Sequence, residues 1–304
     1  MFVRALPAIV MLAAAPAWRA MPGAAAAWRA PDRQIPAPPQ CESAGALVRL
    51  NELPEASGVA ASRRNPGIVW AVNDSGDPVI YAVDANGKVT GRVGVTGATL
   101  EDWEAIAVGP CPGGTCLYVG DIGDNDRKRK QITIYRLPEP DAVDKSSAPA
   151  DALRATYPDG PHDAESLFIA PDGALHIVTK GVNESVALYR FPRELRAGAP
   201  VRLERIAKPG ETGKSPNSER ITDASVSPRG EWIVLRTNRA LQFHRAKALL
   251  AGNWRPDRVV DLANLDEPQG EGLTFVADDA IVVAGEGGGK SAAGTFGRLA
   301  CTLR

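Results

Sequence analysis

The 304-residue chain has a formal net charge of -1, with 44% hydrophobic and 23% charged residues. This composition is typical of a folded globular protein with enough apolar material for a large core. The near-neutral charge argues against a basic nucleic-acid-binding chain and against an acidic disordered tail. The 30 glycines and 25 prolines favour a turn-rich β fold.

The first residues have the pattern of an export signal. Arg4 precedes an apolar stretch, residues 5–15, that is too short to span a bilayer. Small residues at positions 15–17 and 25–27 offer two cleavage sites. We therefore expect a signal peptide over residues 1–27, a linker over 28–44 and one domain over 45–304, in the bacterial periplasm or outside the cell. An uncleaved anchor is the alternative, and no later segment is apolar enough to cross a membrane.

Four cysteines in an exported chain predict two disulfides. Cys111 and Cys116 flank Pro-Gly-Gly-Thr and could close a tight hairpin loop. Cys41 and Cys301 would then join the start of the domain to its end. The two other pairings and four free thiols remain open from the sequence.

A short acidic motif occurs five times and sets the predicted fold. Its copies align on a β-branched or leucine residue that recurs every 47 to 61 residues, at Val59, Ile106, Leu167, Val226 and Leu273. These intervals match or slightly exceed the length of four-stranded propeller blades. Strand-like runs follow each copy, with turn residues between them. We predict an all-β, five-bladed β-propeller of four-stranded antiparallel blades. A β-sandwich would not explain five spaced copies of one motif.

The last blade is one strand short, because the chain ends at Arg304. Residues 46–50 precede the first copy of the motif and are left over from the first blade. We expect them to complete the last blade and close the ring, which would leave no open sheet edge. A Cys41–Cys301 disulfide would then lock this closure.

Propeller topology brings the starts of the first strands and the ends of the second strands together at one mouth of the channel. Many carboxylates fall there and repel each other unless cations offset them. Two positions before the aligned residue the blades carry Ser57, Glu104, Glu165, Ala224 and Glu271. Oxygen-only ligands of this kind suit calcium, and we expect Ser57, Glu104, Glu165 and Glu271 to hold it. In the alternative interpretation, the carboxylates cap backbone amides and organise the channel.

Positive charge is expected beside this acidic rim. Lys180 and Arg236 end second strands, and Arg220 and Lys290 follow nearby in the repeat. A cation together with Lys and Arg can clamp phosphoryl oxygens, although simple ion pairing would explain them equally well. Asp121, His162 and Asp163 are candidates to orient or activate water. The candidate catalytic set is therefore Asp121, His162, Asp163, Lys180 and Arg236.

Three further patterns are not interpreted as sites. Residues 284–291 fit a loose phosphate-loop pattern, but that motif needs a following helix, and the 13 residues after Ser291 have the pattern of a strand. Asp121, Asp124 and Asp126 resemble a calcium loop that lacks the spacing and closing Glu of an EF-hand. The basic run 127–130 is typical of a solvated hairpin tip.

Four segments carry a resemblance to a known family: 70–76 (WAVNDSG), 102–109 (DWEAIAVG), 118–125 (YVGDIGDN) and 157–166 (YPDGPHDAES). They resemble exported bacterial five-bladed propellers of the WD-repeat-like or esterase-like phytase-like kind, over nearly all of residues 45–304. More distantly, the chain is similar to calcium-activated apyrases, whose channel calcium is held by Ser and Glu at strand starts. Ser57, Glu104, Glu165 and Glu271 match those positions, and Ala224 departs from the pattern, with Ser225 beside it.

These observations together predict an exported, calcium-containing hydrolase of phosphoesters or phosphoanhydrides. The cation, Lys180 and Arg236 would stabilise developing charge while an Asp or His162 orients water. The rival hypothesis is a non-catalytic propeller that binds a small ligand, a glycan or a protein through the same face. We expect a monomer with no nucleic-acid partner and no membrane span.

Overall fold

The structure is a computed structural model that describes residues 39–182, 184–207, 220–289 and 292–303. Within these residues the chain forms five β-sheets, which are the five blades of a propeller. This confirms the all-β, five-bladed fold. The predicted signal peptide, residues 1–27, lies outside the described residues. None of the helices in the described ranges is long and apolar enough to cross a membrane.

The blades follow one another along the chain. Blade 1 consists of β3 (Ala56–Ala61), β4 (Ile68–Asn73), β5 (Val79–Asp84) and β6 (Val89–Gly94), and blade 2 of β7 (Trp103–Cys111), β8 (Gly114–Asp121), β9 (Ile132–Pro138) and β10 (Asp151–Thr156). Blade 3 consists of β11 (Ala164–Ile169), β12 (Leu175–Thr179), β13 (Leu188–Arg190) and β15 (Glu204–Ala207). Blade 4 consists of β16 (Ile221–Val226), β17 (Trp232–Thr237), β18 (Ala240–Arg245) and β19 (Arg258–Asp261), with helix α1 (Ala246–Leu250) after β18 and a 3-10 turn (Ala263–Leu265) after β19.

Blade 5 closes the ring with strands from both ends of the domain. β20 (Gln269–Ala277), β21 (Ala280–Glu286) and β22 (Gly294–Thr302) come from the C-terminal end, and β1 (Gln40–Ser43) and β2 (Val48–Leu50) both pair with β22. The predicted closure is confirmed, and the Cys41–Cys301 disulfide joins β1 to β22. β1 lies within residues 28–44, so the end of the predicted linker is wrong: its last residues belong to the propeller.

Two short strands stand where a single fourth strand of blade 3 would be expected. β14 (Val201–Arg202) pairs in parallel with β10 of blade 2, while β15 pairs with β13 of its own blade. Leu203 between them is buried, and its backbone N–H donates to the Thr156 carbonyl at 2.9 Å. The crossover therefore ties two neighbouring blades together.

Hydrophobic side chains fill the spaces between the blades rather than one central core. Trp70 and Ile80 of blade 1 pack with Leu117 and Val119 of blade 2, and similar clusters occupy the four other junctions. Alternating residues of each strand face the blade on either side. The second disulfide, Cys111–Cys116, closes the hairpin between β7 and β8, as predicted.

The innermost strands approach closely near the channel axis. A Cβ atom at Gly58 would lie 2.6 Å from the Ala105 Cα, and one at Gly272 would lie 2.5 Å from the Ser57 carbonyl oxygen. Real Cβ atoms do not approach backbone this closely. The glycines of the repeated motif therefore let β3 pack against β7 on one side and β20 on the other.

Candidate functional site

The acidic motifs lie at one mouth of the channel. In each blade the first residue of the inner strand pairs with the end of the second strand, as in Trp103 with Asp121 and Gln269 with Glu286. A register shift follows within the motif in all five blades. Such bulges redirect side chains relative to a regular strand. The strand pairing therefore places the acidic motifs at the mouth of the channel that the propeller topology predicts.

Ser57 and Glu104 are in direct contact between blades 1 and 2. The Ser57 hydroxyl lies 2.8 Å from Glu104 Oε2 and 2.9 Å from the Glu104 carbonyl oxygen. Both residues are buried. Burial raises the pKa of Glu104 well above its usual value, and the carboxylate of Asp102 raises it further. This carboxyl group is therefore costly to ionise unless a cation is close.

Lys180 supplies a cation beside the buried Glu165. Its ammonium group forms an ion pair with Glu165. Its charge also acts on Glu104 and Glu271, since it lowers the pKa of both against the larger effect of burial. We call Ser57, Glu104, Glu165, Lys180 and Glu271 the axial cluster. Lys180 thus contacts one of the predicted metal ligands, and its charge reaches two others.

Opposing effects set the pKa of Glu271 in the axial cluster. Burial raises its pKa to about 7, while Lys180 and a hydrogen bond from the Gln269 amide, 2.6 Å from Oε1, hold it down. The sequence analysis did not identify Gln269 as part of the site. Its position directly before the Gly-Glu-Gly motif was the available signal.

Two oxygens of the axial cluster have no hydrogen-bond partner among the described residues: Glu165 Oε2 and Glu271 Oε2. Both residues are almost fully buried. Buried carboxylate oxygens are normally satisfied, and hard oxygen donors of this kind suit calcium. The donor set therefore fits calcium chemically. Within the part of the chain that the structure describes, however, no three His, Cys, Asp or Glu side chains are gathered as a metal shell.

Blade 4 contributes no carboxylate to the axial cluster. Asp223, beside Ala224, accepts hydrogen bonds from the backbone N–H groups of Leu273 at 2.7 Å and Ala224 at 2.8 Å. The hydroxyl of Ser225 accepts from the Phe275 N–H at 3.3 Å. Asp223 and Ser225 therefore join blade 4 to blade 5, and Ser225 does not replace the missing ligand in this arrangement.

Arg236 is a structural residue in this arrangement rather than part of an accessible site. Its side chain is 0% exposed and pairs with Glu267, which is also buried. Its Nη1 group donates to the carbonyl oxygens of Ala284 at 2.9 Å and Gly272 at 2.5 Å. The guanidinium therefore bridges β17 to the two nearest strands of blade 5 and is enclosed there. It is not placed to touch a substrate.

Asp121 has a similar local role. It is buried, accepts hydrogen bonds from the backbone N–H groups of Glu101 and Asp102, and pairs with Arg129 at 2.8 Å. These bonds hold the turn that leads into β7. Asp121 therefore orients the start of an inner strand and has its oxygens occupied.

His162 lies in a cluster on blade 3. Its Nδ1 is 2.6 Å from Glu184 Oε2, and its Nε2 is 3.1 Å from Asp159 and 2.9 Å from the Tyr189 hydroxyl. Burial opposes the charged ring, but Glu184 and Asp159 together raise the pKa of His162. Both ring nitrogens are thus occupied, which leaves neither free to accept a proton from a water molecule.

Asp163 lies between this cluster and the axis. Its Oδ1 accepts from the Asp124 N–H at 2.9 Å, while Oδ2 is buried without a partner among the described residues. The neighbouring Asp102 has a pKa raised first by burial and then by the charge of Asp163. Of the three residues considered for water, Asp163 is the one with an unoccupied oxygen.

A second group of carboxylates lies at the rim between blades 1 and 5. Burial, followed by the charges of Glu55 and Glu286, raises the pKa of Asp74 to about 7. These residues belong to the many carboxylates that propeller topology gathers at this mouth, and the sequence assigned no role to them. Lys290, also expected near this rim, lies outside the described residues.

The opposite half of the channel has a different character. A cavity of about 510 Å³ is lined by all five inner strands. Small and apolar side chains predominate, including Ala60, Ala107, Ile169, Ala224 and Val226. Charged groups are therefore concentrated at one end of the channel, where the acidic motifs begin.

Comparisons with known proteins identify the fold. No family model and no curated protein matches the sequence. Among solved structures, the PQQ-bound aldose sugar dehydrogenase of Streptomyces coelicolor is 12% identical, with a TM-score of 0.54, and the match covers 88% of this chain and 99% of that one. A gluconolactonase from Xanthomonas campestris is 13% identical with a TM-score of 0.44, covering 86% and 95%. The calcium-binding protein regucalcin from Agrobacterium tumefaciens is 13% identical with a TM-score of 0.40, covering 82% and 92%.

At these identities the likeness concerns the fold and does not extend to chemistry. The resemblance to exported bacterial propellers and to calcium-activated apyrases remains a prediction. By its sheets and by its similarity to the dehydrogenase structure, this chain is a five-bladed β-propeller.

Proposed function

We propose that the protein is an exported hydrolase of phosphoester or phosphoanhydride substrates, that its reaction takes place at the axial cluster, and that Ser57, Glu104, Glu165 and Glu271 hold calcium there. One observation carries the proposal: the charge of Lys180 acts on three buried glutamates, one of which it contacts, and two of their oxygens lack a partner among the described residues. Such a concentration of unsatisfied, perturbed carboxyl groups is typical of functional sites.

Several groups of this chain have properties suited to the reaction. The calcium, when bound, would supply positive charge to a phosphoryl oxygen. Lys180 can offer its ammonium group to a second oxygen, because its side chain is 18% exposed. Asp163 is better suited than His162 to orient a water molecule, since its Oδ2 is unoccupied by the described residues.

Export is part of the proposal. Two disulfides account for all four cysteines of the chain. Disulfides persist in oxidising compartments and are rare in the reducing cytosol. The two bonds are thus consistent with the export signal that the N-terminal sequence predicts.

The test combines metal analysis with an activity panel on the purified, disulfide-bonded protein. We expect near-stoichiometric calcium, and turnover of some phosphatase or nucleotidase substrate that a chelator abolishes. The double variant Glu104→Ala/Glu165→Ala should lose both. Its matched control is Glu194→Ala/Glu204→Ala, which removes the same charge from two exposed side chains and should behave as the wild type.

The other outcomes separate the hypotheses. Calcium binding without turnover on any phosphate substrate would favour the non-catalytic propeller that binds a ligand, glycan or protein. Turnover that survives both the chelator and the double substitution would place the reaction elsewhere. A calcium-free protein without turnover would contradict the proposal.

A further inference from the structure

We propose that Lys180 is the resident cation of the axial cluster, and that it must withdraw before calcium can bind. This inference rests on the proposed function and extends it, since it makes Lys180 the residue that sets the calcium affinity of the site. The juxtaposition behind it is an ammonium group paired with the buried Glu165, with its charge also acting on the buried Glu104 and Glu271.

The position of the ammonium group supports this role. It pairs directly with Glu165 Oε1, and its charge acts on Glu104, Glu271 and the rim residue Glu286. It therefore lies against one proposed calcium ligand and close enough to two others for its charge to act on them. The same region would have to hold a cation bound by Glu104, Glu165 and Glu271. A divalent cation and an ammonium group that share the same carboxylate ligands would repel each other strongly.

Lys180 is held in a way that permits withdrawal. Its backbone is fixed, because its N–H donates to the Asp163 carbonyl at 2.9 Å and its carbonyl accepts from the Ile221 N–H at 3.1 Å. Its side chain has one ion-pair partner among the described residues and is 18% exposed. A flexible four-carbon stem with an exposed portion can move its head toward solvent without disturbing the strands.

The ion pair with Lys180 occupies one of the oxygens that a bound calcium ion would need. While the ammonium group is present it satisfies Glu165 Oε1, and the cluster has a cation without any metal. Glu165 Oε2 and Glu271 Oε2 remain without partners among the described residues. Withdrawal of Lys180 would free a third oxygen, Glu165 Oε1, for the incoming ion.

Calorimetric titration with calcium tests the inference on the chelator-treated, disulfide-bonded protein at fixed ionic strength. Lys180→Gln should bind calcium about tenfold or more tightly than the wild type, because one repulsive charge is gone. Lys180→Arg should bind about tenfold more weakly, since a guanidinium group can hold Glu165 through two bonds. Lys128→Gln is the matched control: it removes an equal charge from a side chain that is 77% exposed and paired with Asp126, and its calcium affinity should match the wild type.

Thermal unfolding provides a second readout. A chelator should lower the melting temperature of Lys180→Gln more than that of the wild type, because the variant has no resident cation to replace calcium. Lys180→Arg keeps the charge and remains informative even if Lys180→Gln does not fold.

The outcomes distinguish this inference from the proposed function. Equal calcium affinity in the wild type and both Lys180 variants would overturn the inference and leave the calcium site in place. Binding by Lys180→Gln alone would support the inference and contradict calcium as a normal component of the wild type. No binding by any of the proteins would overturn both.

Discussion

Blades 3 and 4 each place one cation at the end of the second strand, and the two cations have different surroundings. Lys180 of blade 3 has one ion-pair partner among the described residues and an 18% exposed side chain. Arg236 of blade 4 is 0% exposed and reaches Glu267 together with two backbone carbonyl groups. The repeat alone would assign them the same role. Their partners indicate that Arg236 holds two blades together, whereas Lys180 remains available to a ligand.

The strongest test of this contrast is Arg236→Met. The substitution leaves Glu267 buried without its partner and two carbonyl groups without a donor. We expect a loss of about 3–5 kcal/mol in the free energy of unfolding, measured by chemical denaturation. Arg193→Met, which removes an exposed arginine, should leave this free energy unchanged. A loss below about 1 kcal/mol for Arg236→Met would refute the structural role, since breaking a buried pair costs more than that.

The second prediction concerns the other link to blade 5, the Cys41–Cys301 disulfide. The bond joins residues 260 positions apart, so its removal frees a very long loop in the unfolded chain. The Cys41→Ala/Cys301→Ala variant should lose about 2–4 kcal/mol in the same denaturation experiment. Cys111→Ala/Cys116→Ala should lose less, because those residues are 5 positions apart. Equal losses would show that closure of the ring does not depend on the terminal disulfide.

Lys180→Met should destabilise the apoprotein less than Arg236→Met does. Glu165 would lose its partner, but it can then bind a proton, and the lysine is partly solvated. We expect a loss of about 1–3 kcal/mol in chelator, of the size expected for an unsatisfied buried group. Chemical denaturation of both variants under the same conditions measures which one loses more free energy of unfolding. The reverse order would mean that Lys180 is the structural residue.

The pH dependence of stability should report the effect of the Lys180 charge on its buried neighbours. Burial raises the pKa of Glu271 to about 7, so the folded state keeps a proton that the unfolded state loses from about pH 4.5 upward. Stability from this group therefore falls as the pH rises between these values and is level above them. Lys180 opposes the shift more strongly than Arg236 does. In chelator, Lys180→Met should continue to lose stability above pH 7, while Lys128→Gln, which removes an exposed charge, should keep the wild-type pH dependence. Parallel curves for all three proteins would contradict this.

The smallest expected effect is that of Lys128→Gln. Lys128 pairs with Asp126 at 2.7 Å, but both side chains are largely exposed. Exposed ion pairs contribute little because water screens them. We expect no measurable change in the free energy of unfolding. A clear loss would show that the loop before β9 depends on this pair and would disqualify it as a control.

The fold was predictable from the repeat because each blade needs the same residue types at the start of its inner strand. Each copy of the motif needs a strand start, a glycine or small residue for close approach and an acidic group. Gly58 and Gly272 meet this requirement where inner strands touch. The spare N-terminal strand and both disulfides followed from counting strands and cysteines. The division of residues 201–207 between two blades could not be predicted, because it depends on how β10 lies beside β14.

The candidate site was predictable in composition but not in the roles of its members. Ser57, Glu104, Glu165 and Glu271 share one position in the repeat, so propeller topology predicts that they lie at the same mouth of the channel. The sequence could not distinguish Lys180 from Arg236. Nor could it show that Glu184 and Asp159 occupy both nitrogens of His162.

The sequence by itself determined the blade count, the closure of the ring and the end of the channel at which the acidic residues lie, because periodic strands and paired cysteines are properties of order along the chain. Only the tertiary structure decided which charged groups are satisfied and which are not. Burial and partners from other blades set the pKa of a carboxyl group and the freedom of a lysine, and those neighbours are distant in the sequence.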